Sequence, residues 1–272
     1  MTLHVDVDGL KLAVEITGEG HPPVVFVTGL NDDRHVWDAL LSTLTAQTMT
    51  VAYDRPDLGD SDPLPQGEAR VSRSYGDAAH QLHTLLDLAG VPAPRVFVGH
   101  SIGGLIIHVY AAQTPADVAG LVYVDATEPQ LYVDVSGFGP TVTDNDLGMT
   151  FDWRLGLEEF QRVSTPQVPA VVVASSVGRW ATAQSPEKYA PYTMAQVDER
   201  WQRWQRGLAA SLRAPLLLAH HARHYVHTEA PMLVGRAVDA VVRAVRDADA
   251  VQLDPTDVDA AGGTFHLTVA RQ

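Results

Sequence analysis

Val96-Phe97-Val98-Gly99-His100-Ser101-Ile102-Gly103-Gly104 sets a serine between an uninterrupted apolar run and a segment of helical period. The apolar run reads as a buried strand, and Ile102, Leu105, Ile106 and Val109 recur at the spacing of one helix face. A Gly-x-Ser-x-Gly pentapeptide at such a junction is where a strained strand-to-helix turn holds up a nucleophile. The five letters alone turn up in unrelated chains, so their surroundings have to support the reading.

Strand and helix signals alternate on both sides of that turn. Leu3, Val5 and Val7, then Leu12, Val14 and Ile16, alternate with polar neighbours across Asp8-Gly9, which predicts an opening hairpin. Val24-Val25-Phe26-Val27, Thr50-Val51-Ala52-Tyr53, Leu121-Val122-Tyr123-Val124, Ala170-Val171-Val172-Val173 and Leu216-Leu217-Leu218 read as further strands. Between them, Val36, Trp37, Leu40, Leu41 and Leu44 have helical spacing, as do Tyr75, Leu82, Leu85 and Leu86 before Gly90. Late helices carry Val197, Trp201, Trp204 and Leu208, then Val238, Val241, Val242 and Val245 after Pro231. An antiparallel opening followed by repeated βα units predicts an α/β fold: a mostly parallel sheet with helices on both faces.

Composition removes whole classes of function. The chain has 272 residues, 46% hydrophobic and 19% charged, enough for one large core, and no stretch approaches the length of an apolar membrane span. No membrane association is expected. With no cysteine, a disulfide framework, a thiolate nucleophile and a cysteine-bound zinc are all excluded. Residues 1 to 20 lack the basic and apolar blocks of a signal peptide, so a cytoplasmic location is the expectation. The net charge of −14 repels polyanions at long range and speaks against nucleic acid as a partner. Basic residues are almost all arginine, Lys11 and Lys188 excepted, as in a bacterial chain from a GC-rich genome.

Two segments break the alternation. Residues 127–168 carry Tyr132, Phe138, Phe151, Trp153 and Phe160 among Gly and Asp, which suits a small cap or lid over a pocket. Aromatic side chains that merely pack on the sheet are the plainer alternative. Residues 250–272 form a C-terminal extension in which Phe265, Leu267 and Val269 alternate after Gly262-Gly263. An extra edge strand, a contact with a second copy in a homo-oligomer and a frayed terminus are all open for it. The core then comprises residues 1–126 and 169–249.

Thr28-Gly29-Leu30, Asp54-Arg55-Pro56-Asp57-Leu58-Gly59, Gly99-His100-Ser101-Ile102-Gly103-Gly104, Val122-Tyr123-Val124-Asp125 and His224 through Pro231 together resemble the successive landmarks of the α/β-hydrolase superfamily. The resemblance covers nearly the whole chain and implies an eight-stranded sheet carrying nucleophile, acid and histidine in that order. Ser101, Asp125 and His224 preserve the order. The commoner acid position follows the next strand, but Ala174-Ser175-Ser176-Val177-Gly178-Arg179-Trp180 contains no acid, and none appears until Glu187. Some members place the acid after the preceding, sixth strand, where Asp125 stands. Glu128 is the reserve, and a purely structural turn or cap is the plain alternative for Asp125. A serine rather than an aspartate nucleophile argues against the haloalkane dehalogenase and epoxide hydrolase branches.

The chemistry explains why such residues are needed. A serine hydroxyl is a poor nucleophile near neutrality, so an imidazole takes its proton and later returns it to the leaving group. A buried carboxylate holds that imidazole in one tautomer. Backbone N–H groups stabilise the oxyanion, and the resemblance implies Leu30 and Ile102 for this role. The usual His-Gly of the first landmark is Thr28-Gly29 here, and Asp57 stands where the family prefers Gly, so strain is expected there. Asn31, Phe138, Phe151, Trp153 and Trp180 are candidate pocket residues. His220, His221, His224 and His227 would suit a metal, but no carboxylate motif accompanies them, so no metal or cofactor is expected. His100 reads as a packing residue and Glu229 as a support to the histidine loop. The expected function is a cofactor-free serine hydrolase cleaving a neutral or apolar carboxylic ester or lactone, with a small molecule as its partner. Two alternatives remain: a cyclase, lyase or perhydrolase using the same three residues, and a receptor-like member with little turnover.

Overall fold

The computed structural model describes residues 2–65, 71–145 and 148–266. β1 (Thr2–Val7) and β2 (Leu10–Thr17) pair antiparallel, with Asp8 and Gly9 both at positive φ in the two-residue turn that matches strand twist. β3 (Val24–Val27) leads through one tight helical turn into α1 (Asp38–Leu41), followed by β4 (Thr50–Tyr53), β5 (Ser72–Arg73) and α2 (Tyr75–Leu88). The nucleophile-turn strand is β6 (Arg95–His100) and the helix after it α3 (Ile102–Gln113). β7 (Val118–Val124), α4 (Pro129–Asp134), β8 (Thr141–Thr143), β9 (Thr150–Asp152) and α5 (Trp153–Arg162) precede β10 (Ala170–Ala174). The chain continues through α6 (Met194–Leu212), β11 (Leu216–Ala219), α7 (Val226–Glu229), α8 (Pro231–Asp247), α9 (Pro255–Ala260) and β12 (Gly263–His266).

The main sheet runs β1-β2-β4-β3-β6-β7-β10-β11-β12. From β4 to β11 every neighbour is parallel, while β1, β2 and β12 supply antiparallel pairings at the two edges. The sheet therefore has nine strands rather than eight. The ninth is β12, from the C-terminal extension, which pairs with β11 and packs Phe265 against the core. Leu267 and Val269 lie outside the described residues.

Alternation along each central strand explains why these strands read as continuous apolar runs. Val25, Val27, Phe97, Leu121, Tyr123 and Val172 face one layer with α2, α3 and part of α6, whereas Val24, Phe26, Val96, Val98, Val122 and Val171 face the other with α8. Both faces of a parallel sheet are covered, so polar residues have no place on either. α2 begins at a capping box of Ser74 and Asp77, and α6 at one of Thr193 and Gln196. Among the described residues, no helix is long and apolar enough to cross a membrane.

The segment between β7 and β10 holds α4, the β8-β9 hairpin and α5. It is tied to the core by a three-stranded sheet in which β9 pairs with β5, and by a buried ion pair between Arg55 and Asp144 at 2.8 Å. Arg55 also donates to the Thr28 carbonyl and hydroxyl and to the Gly29 carbonyl, so one guanidinium braces the loop after β3 against the segment above it. Asp57 adopts φ 65°, and its carboxylate accepts the Leu64 N–H at 3.0 Å, a local hydrogen bond that offsets the expected strain.

Candidate active site

Ser101 closes β6 and caps α3 at φ 53° and ψ −121°, a conformation far from both strand and helix. The glycines make the turn possible. A Cβ on Gly103 would lie 2.2 Å from the Val27 carbonyl oxygen, and one on Gly99 would lie 2.5 Å from that of Gly103. Helix α3 can thus press its first turn against β3 only where side chains are missing, and that brings Ile102 beside the loop carrying Leu30. None of the loop, turn and cap hydrogen bonds among the described residues uses the Leu30 or Ile102 N–H.

Three side chains from three strand ends meet at this turn. Ser101 Oγ lies 3.0 Å from His224 Nε2, and His224 Nδ1 lies 2.8 Å from Asp125 Oδ2. Because the ionised carboxylate can only accept, His224 carries its proton on Nδ1, and Nε2 accepts from the Ser101 hydroxyl. Thr127 Oγ1, 3.0 Å from Ser101 Oγ, then acts as donor to the serine oxygen.

Asp125 is fully buried and itself adopts φ 43°. Its Oδ1 accepts from the Ser175 N–H at 3.0 Å, the Ser175 hydroxyl at 2.8 Å and the Trp201 indole N–H at 2.8 Å. Arg179 approaches Oδ2 at 3.3 Å. Burial alone would raise this carboxyl, but Arg179, His224 and the Ser175 amide together hold it well below the usual carboxylate range. His224 is pushed down to about 4, chiefly by burial and further by His100 and Arg179, against the upward pull of Asp125. The imidazole is therefore neutral near pH 7 and available as a proton acceptor.

A family model described as alpha/beta hydrolase fold matches residues 22–156. The chain belongs to the α/β-hydrolase superfamily. This α/β-hydrolase is 24% identical to the uncharacterized protein YqjL of Bacillus subtilis over 235 residues, 81% of this chain and 83% of that one. Solved structures share its fold. A thermophilic esterase from Thermogutta terrifontis superposes with a TM-score of 0.61 at 16% identity, covering 90% of this chain and 99% of that one. An alpha/beta hydrolase fold protein from Burkholderia ambifaria gives 0.62 at 17%, covering 87% and 96%.

Several residues of this α/β-hydrolase's site were not singled out as functional from sequence. Ser175 occupies the end of β10, the commoner place for the acid, and holds the acid of the neighbouring strand instead. Trp201 and Trp204, one helical turn apart on α6, donate to Asp125 and to the Ala126 carbonyl, and Gln205 adds a 2.8 Å bond to the same carbonyl. The spacing of the two tryptophans and Gln205 is visible in the sequence, but it reads equally as core packing. His100, expected to pack, also donates from Nε2 to the His224 carbonyl at 3.0 Å and so anchors the histidine's backbone. Glu229 accepts from the Arg223 N–H, bracing the loop just before His224.

Other candidates sit elsewhere. Glu128 is paired with Arg200 at 2.7 Å rather than with His224. His220 contacts Thr264, whereas His227 is buried against Trp37 and His100, so the four histidines do not converge on one point. Of the pocket candidates, Phe138 and Trp180 line a cavity of about 470 Å³ that reaches His224. Ser101, 7% exposed, lies one hydrogen bond behind that histidine. Phe151 is buried in the main core against Tyr75, because β9 turns it toward α2. Trp153 stacks on Tyr132 at 4.6 Å and lines a different cavity. Asn31, at φ 62°, bonds Asp144 and Asn145 and is a turn residue that ties the loop after β3 to the overlying segment.

Proposed function

We propose that this hydrolase is a serine hydrolase that cleaves a carboxylic ester or lactone, with an apolar body around the scissile bond, through an acyl-enzyme. The observation that carries the reading is the unbroken chain Ser101 Oγ, His224 Nε2, His224 Nδ1, Asp125 Oδ2, with contacts of 3.0 and 2.8 Å. Ser101 Oγ adds to the carbonyl carbon as its proton passes to His224 Nε2. The carbonyl oxygen becomes an oxyanion facing the N–H groups of Leu30 and Ile102, each such donor contributing about 3 kcal/mol. Collapse expels the alkoxide, which takes the proton from Nε2 and leaves Ser101 acylated. Water then repeats the sequence, giving its proton to His224 and releasing the acid as the Ser101 hydroxyl is restored. Asp125 stays ionised and stabilises the transient imidazolium. None of these steps calls for a cofactor.

The aromatic walls contributed by Phe138, Trp180 and Tyr189 support an apolar substrate body. A panel of short and medium acyl esters, lactones and thioesters, assayed with wild type and Ser101→Ala, tests the proposal. Turnover of an ester or lactone that disappears in Ser101→Ala is the expected result. Turnover that persists in the variant would overturn the serine mechanism, and turnover of thioesters alone would overturn the substrate class.

A further inference from the structure

The cavity at His224 has a local charge opposite to that of the whole chain. Of the side chains lining it, Arg179, Lys188 and Arg223 are cationic and only Glu229 is anionic, in a protein of net charge −14. Arg223 is matched by Glu229 at 3.3 Å. Lys188 forms no ion pair with a carboxylate among the described residues and stands 5.9 Å from the centre of the Phe138 ring. Its position is built in: a Cβ on Gly137 would come within 2.3 Å of Lys188 Cα, so the bare glycine lets the two turns touch and sets Lys188 at the cavity wall.

Arg179 supplies the second observation. Its side chain is only 9% exposed, and its guanidinium sits in the corner formed by the edge-on rings of Trp180 and Trp201, 4.1 and 4.5 Å from their centres. Flat aromatic faces hold a guanidinium plane in place and leave its edge donors free. One edge nitrogen reaches Asp125, whereas the buried Nε has no acceptor. The guanidinium's planar fork of N–H groups, at the wall of the cavity, suits a carboxylate.

We propose that this cavity binds a carboxylate carried by the substrate, so that the enzyme prefers esters or lactones with an apolar body and one remote carboxylate held by Arg179 and Lys188. The proposal rests on the serine-hydrolase reading and adds the substrate class to it. The neutral character expected from net charge follows from long-range repulsion, which is screened beyond roughly 8 Å at physiological salt. Within the cavity, the near cations decide.

The test compares 4-nitrophenyl half-esters of dicarboxylic acids, succinate to suberate, with neutral isosteres ending in a carboxamide. At the best length, the half-ester should have a kcat/KM about tenfold above its isostere at low salt, as a charge-assisted contact gives. That ratio should persist at physiological salt, because a contact pair in the cavity is screened less than distant charges, and it should fall in Lys188→Met and in Arg179→Met. Lys188 is exposed, so its variant keeps the test sharp if the Arg179 variant does not fold. A ratio at or below one for every length, or a ratio unchanged in both variants, would overturn the proposal while leaving a Ser101-dependent esterase standing. Loss of Ser101 dependence would instead overturn the parent reading. A titration of Ser101→Ala with the half-esters, followed by tryptophan fluorescence, reads binding without turnover: tighter binding of the half-ester than of the amide supports the proposal, and equal binding contradicts it.

Discussion

Asp125, just after β7, reaches His224 Nδ1 through one carboxylate oxygen, and Ser175, just after β10, holds the other. Asp125 stays ionised because Arg179, His224 and the Ser175 amide outweigh its burial. Asp125→Asn should lower kcat by about 10⁴-fold, since an amide favours the wrong imidazole tautomer. Glu187→Gln, at an exposed position, should leave kcat within about twofold. Steady-state kinetics on any cleaved ester checks both, and the reverse pattern would move the acid to the later loop. His224 is pushed down to about 4, so its neutral, proton-accepting form persists well below the ordinary histidine range. The acid limb of kcat/KM should therefore lie near pH 4, with activity lost as pH falls through it. An acid limb at or above pH 6.5 would contradict that environment.

At the scale of elements, what matters is how loops are held in register. Arg55, from the loop after β4, grips the carbonyls of Thr28 and Gly29 while pairing with Asp144 of the segment between β7 and β10. Both partners are almost wholly buried. Asp144→Ala would leave a buried guanidinium uncompensated, at a cost of about 3–5 kcal/mol. A urea-melt midpoint lowered in proportion is the expected outcome, and a loss under about 1 kcal/mol would show that water reaches Arg55. The strand and helix pattern was legible because apolar runs and capping residues are local signals, and so was Ser101, whose glycines are demanded by close backbone approach. Arg179, Ser175, Thr127 and Trp201 were not legible as site residues. Each reaches the trio through tertiary folding from a loop or helix face whose local pattern says only turn or core. Phe151 and Trp153 misled for the same reason: aromatic residues between Gly and Asp signal an unusual segment, but not which way its strand faces.

For the whole molecule, the histidines buried around the sheet set a pH limit. His108 and His224 are each pushed down to about 4, mainly by burial, and His227 well below its usual value. The unfolded chain takes up protons on these rings near pH 6.5, whereas the folded chain resists until far lower. Their contribution to stability is thus complete above about pH 6.5 and declines as pH falls toward 4. The depressed Asp125 carboxyl acts in the same direction at still lower pH. Urea unfolding at about pH 7.5 and about pH 5 should show a lower midpoint at the acid value. A midpoint equal or higher at pH 5 would mean that the rings ionise freely in the folded protein. The ninth strand, by contrast, was only one of three readings of the C-terminal extension, because a short alternating run after two glycines carries no sign of which edge it pairs with.

Every step of the proposed chemistry passes through one hydroxyl, so the most direct measurement is where a fluorophosphonate attaches. Intact-protein mass spectrometry and peptide mapping should find one phosphonyl adduct, on Ser101, absent in Ser101→Ala and strongly slowed in His224→Ala. Labelling at another residue, or none on Ser101 in the folded protein, would contradict the account.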